Sequence, residues 1–319
     1  MRKSGTLYKY CCCTLLCLLF SFTGCAKEET DIAVKESAEP KALTETEATM
    51  AATNEVPEET AEPVMTEADW VYCFDGLNGS AVIYDPVQNR YQLYHPESVL
   101  VRRSPCSTFK IISSLTALEN GILQPENSIR IWSKEPYWNE DWNRDIDFFD
   151  AFRSSCVWYF REIIDEIGKD RMQSALNELQ YGNCDISDRE GRLNTNQSNP
   201  ALTGFWIESS LLISPREQVD VMERIFGDDS IYSEESTNRL KQVMLLPESA
   251  ESDITVYGKT GMGKAHGIVV DAWYTGFADM SDKRIYFCVH LDETDNQNAS
   301  GAKAREIAVK LVSDYLHEN

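Results

Sequence analysis

Apolar and polar residues alternate in three short runs, WVYCFDG from Trp70, SAVIYDP from Ser80 and RYQLYHP from Arg90, with Asn, Gly and Asp-Pro at the joins. A period of two broken by turn residues predicts antiparallel strands. Next, SPCSTFKIISSL (104–115) opens a helix that ends near Gly121, and the period lengthens. FFDAFRSSCVWYFREIIDEIG (148–168) and DRMQSALNELQ (170–180) read as helices. Ser214-Pro215-Arg216-Glu217 is a capping box with proline at the first helical position, opening a helix through about Phe226. Alternation then returns in ITVYGKTG, VVDAWYTGFAD and RIYFCVHLD, with a turn at Ser281-Asp282. A last helix over about 302–316 has apolar residues at 307, 308, 311, 312 and 315. Strands at both ends with helices between them predict an α+β unit: one sheet built from the two ends of the chain, a helical region inserted, two lobes and no repeat.

The first 68 residues differ in texture. Arg2, Lys3 and Lys9 precede the apolar run 10–22, the length of a signal-peptide core and short for a membrane span. It ends in Phe22-Thr23-Gly24-Cys25, similar to a bacterial lipobox, which makes Cys25 a candidate for lipidation and 1–24 the segment removed. Residues 26–68 hold 12 acidic residues against 3 lysines, with scattered Pro and Thr. Such a stretch cannot bury enough apolar area to offset its ordering entropy, so 25–68 reads as a disordered acidic tether and 69–319 as the folded unit. The expected location is the extracytoplasmic face of the membrane, held by lipid. A formal charge of −22 argues against a nucleic-acid partner. Of ten cysteines, Cys11, Cys12, Cys13 and Cys17 lie in the signal segment. Cys73, Cys106, Cys156, Cys184 and Cys288 remain, an odd number without a CxxC pair, and read as free thiols.

Ser107 and Lys110 share a helix face at spacing i, i+3. A serine hydroxyl becomes a nucleophile only when a base takes its proton, and lysine is a base only when neutral. Phe109, Ile111, Ile112 and Leu115 supply the desolvation that would lower its pKa. Ser154-Ser155-Cys156-Val157, on a predicted helix, offers a second hydroxyl to relay a proton; the bland alternative is a helix serine bonded to its own backbone. Lys259-Thr260-Gly261, on a predicted strand before Met262-Gly263, could receive a carboxylate; alone it reads as a strand end. It is no P-loop, since Asp253 stands where the first glycine is needed.

S-x-x-K, S-x-V and K-T-G in this order on helix, helix and strand resemble the penicillin-recognising serine enzymes, and finer matches resemble class D β-lactamases. SPCSTFKIISSLTALENGIL is similar to that class's P-x-S-T-F-K helix, Tyr181-Gly182-Asn183 to its Y-G-N motif and Phe205-Trp206 to its omega-region tryptophan. Trp273-Tyr274-Thr275-Gly276 is similar to its W-x-x-G strand, and AKAREIAVKL places Arg305 where the class carries a carboxylate-binding arginine. Taken singly, the tryptophans read as core, the Y-G-N as a turn and Arg305 as a surface arginine. The resemblance implies a β-lactamase/transpeptidase-like fold, an antiparallel sheet flanked by helices plus a helical lobe. It implies β-lactam hydrolysis with Ser107 as nucleophile and Lys110, as an N-carboxylated lysine, as base. Trp206 would hold the carbamate, Ser155 would relay the proton, and Val157 would keep water from the lysine. Lys259, Thr260, Gly261 and Arg305 would bind the substrate carboxylate, with Tyr181 and Asn183 also at the substrate site. Backbone N–H groups of Ser107 and Met262 would form an oxyanion hole, worth ~3 kcal/mol per donor in other acyl-transfer enzymes. The implied partners are β-lactams and, through lipid, the membrane; no cofactor beyond carbon dioxide is implied.

Cys106 stands where the class usually has alanine, and Cys156 is the middle residue of S-x-V. Both read as small thiols in alanine-sized space, with a disulfide as the alternative. Residues 184–204 are longer and more polar than in many class members. His95, His266, His290 and His317 are scattered without a metal-binding spacing. Two other readings share the residues: a penicillin sensor that acylates without turning over, and a cell-wall transpeptidase.

Overall fold

The computed structural model describes residues 62–194, 199–292 and 299–318. The signal segment, Cys25 and most of the predicted tether lie outside those residues, as do 195–198 of the polar stretch.

Strands β1 (Val64–Glu67), β2 (Gly79–Asp85), β3 (Arg90–Tyr94), β4 (Thr255–Ala265), β5 (Ile268–Met280) and β6 (Lys283–Asp292) form one sheet in the order β1-β3-β2-β6-β5-β4. The join between the chain's two ends is the antiparallel pair β2–β6, with Val82 opposite Cys288. Side chains alternate between two cores, as a period of two requires. Val82, Tyr286 and Cys288 enter the core shared with the helical lobe. Ala81, Ile83, Phe287 and Val289 enter the opposite core, closed by α8 (Gly301–Glu318) through Ile307, Ala308, Leu311, Val312 and Tyr315. The helical lobe comprises α2 (Lys110–Glu119), α3 (Phe148–Arg153), α4 (Val157–Ile167), α5 (Lys169–Glu178) and α7 (Glu234–Met244), and α6 (Pro215–Phe226) packs on the sheet. The expected capping box at Ser214 and Glu217 is present. No described helix is long and apolar enough to cross a membrane.

Three expectations are corrected. β1 lies inside the stretch assigned to the tether and pairs parallel with β3, an exception to the antiparallel sheet. Its VMTE sequence is mostly exposed and is held by backbone bonds, Val64 N–H to Asn89 O at 2.9 Å and Ala68 N–H to Leu93 O at 2.9 Å, so no apolar pattern announces it. WVYCFDG is not a strand. Val71–Phe74 forms a short helix, α1, with Trp70, Cys73, Phe74 and Leu77 buried at helical spacing. Finally, 148–168 is two helices. Ser155 takes a left-handed φ of 57°, its N–H donates to Phe152 O at 3.2 Å, and the Cys156 N–H donates to Ala151 O at 2.8 Å. These two bonds are the Schellman closure of a helix C-terminus, which ends α3 before α4 begins.

Candidate active site

Ser107 sits in a 3-10 turn, Cys106–Phe109, that runs into α2. Cys106 holds a φ of 50°, a strained value for a residue with a Cβ, and the turn is clamped on two sides. From the segment after Gly204, Trp206 O accepts the Cys106 N–H at 2.9 Å and the Ser104 hydroxyl at 3.1 Å. From β5, Trp273 Nε1–H donates to Ser104 O at 3.0 Å. The Trp206 ring is buried and stacks on Phe109 with centroids 6.1 Å apart.

Lys110 opens α2, a helix buried on nearly every side whose Ser113, Ser114 and Thr116 hydroxyls bond back to its own carbonyls. Its Nζ lies 2.9 Å from Ser107 Oγ and 5.3 Å from the Phe160 ring centroid, and the side chain is 1% exposed. Burial pushes the amine down from 10.5 to about 8, with the nearby Cys156 and Cys106 sulfurs acting the other way. Among the described residues no carboxylate forms an ion pair with it. Both cysteines are free thiols. Burial raises each, Cys156 to about 12.

The α3–α4 break gives Ser155 its aim. Ser154, not Ser155, follows the bland reading, its hydroxyl bonding to Asp150 O at 2.8 Å. Ser155 Oγ instead accepts a hydrogen bond from Lys259 Nζ. Lys259 is 4% exposed, and burial followed by repulsion from Lys110 holds it well below the usual lysine range. Its strand, β4, is the sheet edge that lies against the Ser107 turn. Gly261 faces the Pro105 carbonyl, and Met262 is 42% exposed beside it. Thr260 faces α8, where Arg305 joins it, Lys259 and Arg153 around a cavity of about 250 Å³. Glu248 also borders that space, but among the described residues no carboxylate forms an ion pair with Arg305. Val157, the first residue of α4, is partly buried against the same core as Phe160.

The structure therefore gathers Ser107, Lys110, Ser155 and Lys259 into one hydroxyl–amine cluster and brings Thr260 and Arg305 to the adjoining cavity. It does not bring Tyr181 and Asn183 there, correcting the expectation of substrate contact. Tyr181 is fully buried, edge-on to Phe109 at 5.6 Å. Asn183 is bonded to backbone, donating to Ser210 O at 2.8 Å and accepting from Leu212 N–H at 2.9 Å. Gly182, with φ 52°, lies so close to this segment that a Cβ would fall 1.9 Å from Leu212 O. The Y-G-N motif thus anchors residues 210–213, the segment that follows Trp206. Sequence reasoning missed Ser104, Arg153 and Glu208. An acid inside the apolar run FWIESSLLI was the available signal for Glu208.

A buried serine–lysine pair facing a second serine and a strand lysine, at the edge of a mixed sheet, is the arrangement of the penicillin-recognising serine superfamily. The chain belongs to the family described as penicillin binding protein transpeptidase domain, whose model matches residues 79–313. It is 30% identical over 246 residues to the regulatory protein BlaR1 of Bacillus licheniformis, which covers 76% of this chain and 38% of that protein. The chain therefore spans well under half the length of that relative. The C-terminal domain of the Bacillus licheniformis BlaR penicillin-receptor has a similar fold, with a TM-score of 0.69 at 28% identity over 79% of this chain and 97% of that one. A class D β-lactamase from Bacillus subtilis gives 0.65 at 26% identity, over 78% and 95%. The expected fold, β-lactamase/transpeptidase-like, is the observed one.

Proposed function

We propose that this chain hydrolyses β-lactam antibiotics through an acyl-enzyme on Ser107. The observation that carries the reading is Lys110, buried and without a carboxylate partner, 2.9 Å from the Ser107 hydroxyl. Ser107 Oγ gives its proton to a base at the Lys110 position and attacks the lactam carbonyl. The C–N bond breaks, and Ser155 passes a proton to the leaving nitrogen, replenished from Lys259. Backbone N–H groups of Ser107 and Met262 face the oxyanion. Lys259, Thr260 and Arg305 receive the substrate carboxylate. An arriving anion favours the charged form of Lys259, so substrate binding and protonation of that lysine are coupled. The neutral amine is the form that takes up carbon dioxide, and a value lowered to about 8 makes that form more available near neutral pH. Trp206 would be the residue that holds such a carbamate. Such a group would supply a carboxylate-type general base that is already deprotonated at neutral pH, for acylation and for the deacylating water.

A second reading, a sensor that stays acylated, is favoured by the likeness to the BlaR penicillin-receptor domain across 97% of that domain. Nitrocefin colour change by the purified protein, with and without bicarbonate, separates the two. Continuous turnover enhanced by bicarbonate is expected. One stoichiometric burst removes the hydrolase and keeps the sensor, and no reaction at all removes both readings. We further propose that residues 1–24 are an export signal and that lipid on Cys25 holds the folded unit at the extracytoplasmic face. Labelled palmitate is expected on the wild-type chain and not on Cys25→Ala, and a wild-type chain that takes up no label would remove that anchor.

A further inference from the structure

A cluster of acids stands directly beside the nucleophile turn. Glu208 follows Trp206 by two residues, holds a φ of 50°, and donates its backbone N–H to Ser104 Oγ at 2.8 Å. Its half-buried side chain runs between the turn and β4. The Cys106 thiol donates to Glu208 Oε1 at 3.7 Å, and that oxygen lies so close to Gly263 that a Cβ there would fall 1.6 Å from it. Opposite Gly263 in the β4–β5 ladder stands Asp271, 6% exposed. Its carboxylate lies 2.8 Å from His290 Nε2, the other ring nitrogen is 3.6 Å from Asp292, and Asp292 pairs with Arg103 at 3.0 Å. The groups around Glu208 are thus Asp271 from β5, Cys106 from the turn, and, beyond Asp271, His290 and Asp292 from β6 with Arg103. Lys110 faces Cys106 from the helical side, and Lys264 follows Gly263 on β4. Among the described residues no cation forms an ion pair with Glu208.

Cys106 immediately precedes Ser107, and Gly263 immediately follows Met262. A carboxyl group that touches both is one residue removed from each of the two N–H groups assigned to the oxyanion. We propose that Glu208 is a positioning residue of the acyl-transfer site: as a neutral acid it wedges the nucleophile turn against β4, and as a carboxylate it opposes the negative charge that develops between Ser107 and Met262. The inference rests on the acyl-transfer reading of Ser107. Stabilisation of an oxyanion depends on fixed dipoles in a site of low dielectric, where a like charge nearby acts with little screening. The cluster also favours the neutral form. Burial, and then Asp271, push the Glu208 carboxyl up from 4.5 to about 7, against the opposite pull of the Cys106 thiol.

The test is the second-order rate of acylation of the full chain by nitrocefin between pH 5.5 and 9.5, for wild type, Glu208→Gln and Glu208→Ala. All three profiles contain the rise as Lys110 loses its proton, so the readout is the ratio between proteins. The rate of Glu208→Gln relative to wild type is expected to climb about five-fold from pH 6 to pH 9, because only wild type acquires the charge. At pH 6 the glutamine variant outpaces the alanine variant, which loses the wedge. Asp271→Asn, tested alongside, moves the wild-type decline to lower pH by removing the facing charge. A glutamine-to-wild-type ratio that stays flat across pH overturns the proposal, as does a glutamine variant identical to the alanine one at every pH. If wild type itself is not acylated at any pH, the failure lies in the acyl-transfer reading and the inference falls with it.

Discussion

Lys110 is held where its charge is unfavourable, and the fold bears that penalty at neutral pH. In the unfolded chain its amine titrates near 10.5, in the folded one near 8. Between those values the unfolded chain keeps a proton that the folded chain has lost, so stability rises with pH across that window; below 8 the full penalty of about 3 kcal/mol applies. Lys110→Met keeps the length of the side chain without the charge. It is expected to be more stable than wild type by about 1–3 kcal/mol at pH 7, with the difference shrinking by pH 10. Urea unfolding at both pH values checks this, and a variant less stable at pH 7 would contradict the assigned burial. Ser107 and Lys110 were legible in the sequence because i, i+3 spacing in an apolar run fixes both their shared face and their desolvation. Glu208 was not, because its neighbours Gly263 and Asp271 are more than fifty residues away in the chain.

At the scale of elements, breaks rather than helices aim the chemistry. The α3–α4 break turns Ser155 toward Lys259, and the left-handed Cys106 starts the turn that presents Ser107. Neither was legible: serine and cysteine are not residues that favour a positive φ, the Ser155 break is closed by two backbone bonds that any sequence could make, and the Cys106 turn is clamped by Trp206, a hundred residues away in the chain. The capping box at Ser214 and the apolar stripe of α8 were legible, because both signals are local or periodic. The Y-G-N motif was recognised but its role was misread, since sequence does not say which side of the nucleophile turn it supports. Gly182→Ala places a Cβ against Leu212 O at a left-handed position, so a loss of about 2–4 kcal/mol is expected. An unchanged urea midpoint would remove Gly182 from the support of the Trp206 segment.

For the whole molecule, the two-lobed outline followed from strands at both chain ends with helices between them. The sheet edge β4 meets the helical lobe at the Ser107 turn, so both lobes contribute to the proposed site: Ser107, Lys110 and Ser155 from one, Lys259, Thr260, Met262 and Arg305 from the other. That division makes the site sensitive to how closely β4 seats, which is why a glycine at 263 and an acid at 208 matter beyond their own contacts. Hydrolase and sensor share these parts and differ in the fate of the acyl group. The most direct measurement is therefore peptide mapping by mass spectrometry after brief exposure to benzylpenicillin, in wild type and Lys110→Met. The account predicts a covalent adduct on the peptide containing Ser107 in wild type, with little or none in the variant. An adduct on another residue, or equal labelling of Ser107 in both proteins, would contradict it.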